Sequence, residues 1–140
     1  MSKYPIIVFE GIEGSGKTTL INYTAKYLKK LKIKYIKFRE PGGSTNSEKI
    51  RKIILKNNSD LNKKTDMLLY LAARSENFEK IIKKNHNKKI ILIDRFIDST
   101  IAYQHYGMGI NKNIIKVINK FILGNVKPDI TFLNIVNKKN

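Results

Sequence analysis

Apolar and polar positions along this chain change period several times. Residues 4–10, YPIIVFE, are almost continuously apolar and run into a glycine-rich loop, which predicts a strand buried on both faces of a parallel sheet. Residues 18–31 switch to helical spacing, with Leu20, Ile21, Thr24, Tyr27, Leu28 and Leu31 near one face. Residues 33–39, IKYIKFR, alternate as a second strand and stop at EPGGSTN, whose Pro and paired Gly break regular structure. Ser47 to Leu55 reads as a helix, and residues 65–84 as a longer one starting near Thr65 or Asp66. Residues 89–94, KIILID, predict a third buried strand ending in Asp94. Residues 98–106 and 112–123 read as helices split by a glycine-containing break at 107–109, and 128–136, PDITFLNIV, as a fourth strand.

Strands alternating with helices specify an α/β fold, a parallel sheet flanked by helices. The 140 residues suit a single domain, 1–140, with no repeat or linker; the polar tail NKKN is expected to fray. No apolar run reaches the length of a membrane span, and the apolar N-terminal stretch is too short for a signal peptide. There is no cysteine, which excludes disulfides and thiolate metal sites. A cytoplasmic protein is the plain reading.

The net charge of +17 changes this picture less than its size suggests. It is compatible with a polyanionic partner, but Lys, Asn and Ile dominate the composition, as an AT-rich coding sequence would produce, and the lysines are scattered. The charge therefore reads as solvated surface, with no membrane or specific nucleic-acid partner expected. Arginine is more telling. Only Arg39, Arg51, Arg74 and Arg95 occur among 28 basic residues. Lysine replaces arginine readily on a surface but not where a planar fork must hold a phosphate or a base edge at two points.

Candidate chemistry begins at residues 11–18, GIEGSGKT, which match G-x-x-x-x-G-K-[ST] between a predicted strand and a predicted helix. Gly11, Gly14 and Gly16 let the backbone turn successive N–H groups toward phosphate oxygens, with the helix dipole behind them. Lys17 is placed to reach the β/γ-phosphates of ATP, and Thr18 to offer a hydroxyl to Mg²⁺. Ile12, Glu13 and Ser15 complete the loop. Glu13 is either a solvent-facing side chain or an acceptor for a sugar hydroxyl. Asp94, at the end of a strand, suits a Mg²⁺-organising group held partly through water, or a cap for the helix that follows, or both. The fold class is thus a three-layer sandwich like that of the P-loop NTPases. From the residues alone Tyr70 and Tyr103 also fit a packed core, and Ser99 and Thr100 fit helix-capping roles. His86 and His105 read as structural or solvated.

Five segments in order resemble the thymidylate (dTMP) kinase family: FEGIEGSGKTT at 9–19, REPGGS at 39–44 with Ser44 for the usual Thr, LYLAAR at 69–74, DRFIDSTIAYQ at 94–104, and the strand PDITFLNIV. The resemblance spans essentially the whole chain. It implies transfer of the ATP γ-phosphate to dTMP to give dTDP for dTTP biosynthesis, with Mg²⁺, in a homodimer packed through helices. It implies that Lys17, Arg39, Asp94 and Arg95 carry the chemistry, with Arg39 and Arg95 on the dTMP phosphate. It further implies that Glu13 accepts the sugar 3′-OH, Tyr70 stacks on thymine, and Arg74, Thr100 and Gln104 read the thymine edge. Tyr103 would crowd the 2′ position, Arg51 would flank the base pocket, and Glu40 with Pro41-Gly42-Gly43 would shape the phosphate-side wall. Two other readings remain open: a P-loop nucleotide kinase with a different acceptor, and a non-catalytic nucleotide-binding protein.

The family pattern continues past PDITFLNIV into a lid carrying arginines, a further strand and a helix. Ile12 and Ser15 are not basic, which resembles members that draw their catalytic arginine from the lid. A chain of this length is therefore expected to be a C-terminally truncated member that binds nucleotides weakly and turns over poorly, since a transition-state arginine is worth roughly 10³–10⁵ in rate. PDITFLNIV would then form an apolar sheet edge.

Overall fold

Four strands, β1 (Ile6–Gly11), β2 (Tyr35–Arg39), β3 (Ile90–Asp94) and β4 (Ile130–Asn134), form one parallel sheet in the order β2-β3-β1-β4. The computed structural model describes residues 3–56 and 60–137, so the tail expected to fray lies outside the described residues after Asn137. Successive side chains alternate between two buried faces, which explains why β1 is apolar up to Phe9 and β3 up to Ile93. Ile6, Val8, Ile91 and Ile93 pack on one face with Phe38, Ile82, Phe96 and Leu123. Phe9, Ile90 and Leu92 pack on the other against Ile21, Ala25 and Leu28 of α1 (Lys17–Lys30). The sheet is thus covered on both faces, the three-layer arrangement expected from the alternating pattern.

The α1 stripe is rotated from the one expected. Of the expected face, Ile21 and Leu28 do point inward and are joined by Ala25, whereas Leu20, Tyr27 and Leu31 are 38%, 62% and 48% exposed. The inward line keeps the spacing of four and three that stays over one strip of sheet.

The helices α2 (Thr45–Ile54) and α3 (Lys63–Asn77) each start two residues earlier than expected, because Ser44 and Asn62 cap them with their side chains. Helix α3 passes into a π-helical stretch, Phe78–Ile82, and a last turn, α4 (Lys83–Asn85). The segment after β3 begins as α5 (Ile97–Thr100) and widens into a second π-helical stretch, Ile101–Gly107. Helix α6 (Lys112–Leu123) matches its expected bounds and packs Ile115 against Met67 and Leu71 of α3. Strand β4 is shorter than expected at both ends; at its start the Asp129 carboxylate accepts from Ile6 N at 2.8 Å, at the entrance to the pairing. It lies at a sheet edge and leaves Phe132, Leu133, Ile135 and Val136 exposed. No helix among the described residues is long and apolar enough to cross a membrane.

Candidate active site

β1 delivers the chain to Gly11 and α1 resumes at Lys17, so residues 12–16 form a loop over the C-terminal edge of the sheet. Gly16 turns into the helix in the left-handed region (φ 83°), and no side chain caps the first amides of α1, which leaves them available to an anion. Lys17 folds along the loop. Its Nζ donates to Ile12 O at 2.6 Å and approaches Ser15 Oγ at 3.5 Å. Burial, and then the charge of Arg95, holds its pKa below the ordinary lysine value. The loop is also braced from β4, where Asn134 Nδ2 donates to Ser15 O at 3.2 Å. A Cβ on Gly11 would fall 2.6 Å from Asn134 O and 2.7 Å from Ser15 Oγ, so only glycine lets this strand end approach β4 so closely.

Thr18 and Asp94 line one cavity, together with Asn22, Lys37, Arg39 and Glu48. A hydroxyl and a carboxylate are hard oxygen donors that suit Mg²⁺. Among the described residues no group of three or more His, Cys, Asp or Glu side chains could hold a metal ion. Asp94 does not cap α5. Glu10, at the end of β1, takes that role: its Oε1 accepts from Phe96 N at 2.8 Å and Ser99 N at 3.3 Å.

A second cavity, of about 190 Å³, borders the phosphate loop at Glu13. It is lined by Glu13 from the phosphate loop, by Glu40 and Pro41, by Arg51, by Tyr70 and Arg74 of α3, and by Arg95, Thr100 and Tyr103. Three of the four arginines thus meet at one cavity. Arg39 is not among its lining residues. It faces the Thr18–Asp94 cavity and pairs with Glu48 at 3.4 Å. Gln104 is buried away from the lining, with Nε2 donating to Asp66 at 3.2 Å and Oε1 unpartnered. Tyr70 is half-buried, and burial followed by the nearby Asp66 charge raises its pKa.

Arg74 is tied down more completely than a free ligand-binding arginine. It is buried, and its Nε donates to Glu40 Oε2 at 2.8 Å, Nη1 to Asn119 Oδ1 at 2.8 Å and Nη2 to Thr100 Oγ1 at 2.9 Å. Its guanidinium also stacks over Phe96, 4.9 Å from the ring centroid. Burial pushes the Glu40 carboxyl up from the usual range, and Arg74 opposes that shift. Asn77 completes the support, donating to Gly42 O at 2.6 Å and accepting from Ser44 N at 3.0 Å, which fixes the EPGGS turn. Arg51 adds a bond from Nη1 to Pro41 O at 2.8 Å, and burial lowers its pKa. Gly43 N donates to Glu48 Oε1 at 2.8 Å, and this bond, ahead of the Arg39 charge, holds the Glu48 carboxyl below the usual range.

Glu10, Asn77, Asn119 and Asn134 were not among the residues expected at the site. Glu10 and Asn134 do carry a faint signal, a polar residue at the C-terminal end of an apolar strand. Asn77 and Asn119 carry none in a chain rich in asparagine.

A family model described as thymidylate kinase matches residues 9–140. The thymidylate kinase of Thermosipho africanus (strain TCF52B) is 45% identical over 128 residues, covering 90% of this chain and 63% of that protein. That of Clostridium novyi (strain NT) is 44% identical over 133 residues, covering 94% and 65%. The chain therefore spans a little under two thirds of the length of these curated relatives. The crystal structure of thymidylate kinase from Ehrlichia chaffeensis superposes with a TM-score of 0.89 at 43% identity, covering 96% of this chain and 77% of that one.

Proposed function

The chain belongs to the thymidylate kinase family, and from that premise we propose that it serves the transfer of the γ-phosphoryl group of ATP to dTMP, giving ADP and dTDP for dTTP synthesis in the cytoplasm. The observation that carries the reading is the convergence of Arg51, Arg74 and Arg95 on one cavity beside the phosphate loop, with Tyr70 and Tyr103 on its wall. An anionic nucleotide with a planar base needs that combination.

ATP phosphates would lie on the amides of residues 11–18, with Lys17 leaving the Ile12 carbonyl to reach the β/γ-oxygens. Mg²⁺, held by Thr18 and through water by Asp94, would supply neutralisation of the β/γ-oxygens. Arg95 would take the dTMP phosphate from the cavity side, and Arg39 would approach from the Thr18–Asp94 side. The acceptor is already anionic and needs no strong general base, so positioning and charge stabilisation carry the reaction. Thymine would lie on Tyr70, with Thr100 and Arg74 at its edge and Gln104 behind them. Glu13 would accept the 3′-OH, and Tyr103 would crowd the 2′ position. We read residues 1–140 as belonging to one kinase unit.

A homodimer fits the same reading. Ile114, Val117 and Phe121 are 50%, 68% and 88% exposed and follow one another at helical spacing on α6, an apolar stripe suited to a helix of a second copy.

Calorimetry with dTMP, dCMP and the ribose analogue tests the acceptor. Preference for dTMP over both is expected. Equal binding of dTMP and dCMP would refute the thymidylate assignment and favour a kinase for another nucleotide.

A further inference from the structure

We infer that the buried Glu10 and the half-buried Ser99 form a prop that positions the guanidinium of Arg95, an inference that rests on the proposal that Arg95 holds the acceptor phosphate. Glu10 is 4% exposed, at the last turn of chain before the phosphate loop. A carboxylate this deep is retained only if its lone pairs are filled. Three donors fill them, all from the segment after β3: Phe96 N and Ser99 N on Oε1, and Ser99 Oγ on Oε2. Ser99 then has its proton committed to Glu10, and its oxygen faces outward as an acceptor. Arg95 Nη1 donates to that oxygen at 3.4 Å and to Tyr103 OH at 3.3 Å. Because arginine can only donate, the direction of the whole chain is fixed by the charge on Glu10.

The backbone needs the same support. Arg95 sits at φ 68°, a left-handed conformation that a long side chain adopts at a cost, and its own N–H donates to Phe9 O at 3.0 Å. The bonds from Phe96 and Ser99 to Glu10 hold the residues on its C-terminal side. Glu10 therefore fixes both the turn on which Arg95 is mounted and the oxygen against which its fork rests. It is a positioning residue acting through Ser99.

Glu10→Gln keeps the shape but replaces one oxygen with a donor. The amide then donates to the Ser99 hydroxyl, whose proton must turn elsewhere, so Ser99 loses its charged acceptor and becomes a weaker, less fixed partner for Arg95. Ser99→Ala removes the link and leaves Glu10 in place, and Ser99→Thr restores the hydroxyl. Titrating each variant with dTMP and with thymidine, which lacks the phosphate, separates positioning of Arg95 from general damage to the pocket. Glu10→Gln and Ser99→Ala are each expected to weaken dTMP by about tenfold, the scale of one charge-assisted hydrogen bond. Thymidine binding should hold steady, Ser99→Thr should recover dTMP, and the double variant should be no worse than either single one. Should Glu10→Gln fail to melt cooperatively, Ser99→Ala and Ser99→Thr carry the test. Unchanged dTMP binding in folded variants, or equal losses for dTMP and thymidine, overturns the prop while leaving the acceptor assignment intact. A wild-type chain that binds thymidine as well as dTMP overturns the assignment of Arg95 to the phosphate, and the prop with it.

Discussion

Replacing Arg74 should unfold the site before it reports on the base. The side chain is 3% exposed, and its carboxylate partner Glu40 is 6% exposed. Arg74→Met keeps most of the stem but leaves Glu40 with Asn77 Nδ2, at 3.4 Å, as its remaining side-chain donor. Breaking a buried ion pair from one side costs about 3–5 kcal/mol, because the surviving charge stays out of water. At roughly 3 °C per kcal/mol for a chain of this size, the melting temperature should fall by about 9–15 °C. Removing the stranded charge should reverse part of this loss, so Arg74→Met/Glu40→Gln is expected to melt well above Arg74→Met. The pH dependence has a definite sign. Burial already pushes the Glu40 carboxyl up, and losing Arg74 pushes it further, so acidification protonates the stranded group and the penalty of Arg74→Met should shrink as the pH falls. Thermal melts of the three proteins across mildly acidic to neutral pH decide the matter. A loss under about 1 kcal/mol, or a double variant no more stable than the single one, would refute the account of Arg74 as one half of a buried pair. The corollary concerns binding assays: loss of dTMP affinity in Arg74→Ala cannot by itself be assigned to the thymine edge. The double variant, titrated well below its melting temperature, is the cleaner probe.

Lys17→Ala should lower γ-phosphoryl transfer by roughly 10²–10³ while leaving calorimetric dTMP binding unchanged, and parallel losses of both would remove Lys17 from the ATP side. Glu48→Gln tests the carboxyl held down by Gly43 N–H. With its folded pKa below the ordinary 4.5, ionised Glu48 stabilises above that value and the contribution disappears as pH falls through the folded pKa. The melting difference between wild type and variant, worth under about 1 kcal/mol at this exposure, should therefore close on acidification, and a pH-independent difference would contradict it. Phe121→Glu should convert a dimer to a monomer in light scattering, since its ring, 88% exposed, is the most exposed side chain of the apolar α6 stripe, and an unchanged mass would place any interface elsewhere.

What the sequence revealed and what it concealed follow from how far each feature reaches along the chain. The phosphate loop is legible because eight consecutive residues carry it, and each one's task is local. The sheet is legible because burial on both faces makes β1 apolar up to Phe9 and β3 apolar up to Ile93. The two π-helical stretches leave no such trace. Widening a helix by one residue per turn changes which side chains share a face without changing composition, so Ile101–Gly107 reads as an ordinary helix although it carries both Tyr103 and Gln104. The buried polar scaffold is concealed for another reason. Glu10, Asn77 and Asn119 act on partners 86 to 89, 33 to 37 and 45 residues away in the chain, and no local pattern encodes such pairings. Arginine scarcity partly closes this gap. In a chain that uses lysine wherever lysine suffices, the surviving arginines mark forks that must be held at several points. Arg74 has three donors committed within the protein, and Arg51 and Arg95 rest on a carbonyl and on hydroxyls respectively. Rarity thus points to residues of which three line one cavity, but it does not separate the arginine that shapes the cavity from one free to grip a phosphate. Internal bonding separates them: Arg74 is bound by a buried carboxylate, whereas no carboxylate bonds the Arg95 side chain among the described residues, which leaves its charge for an anionic ligand.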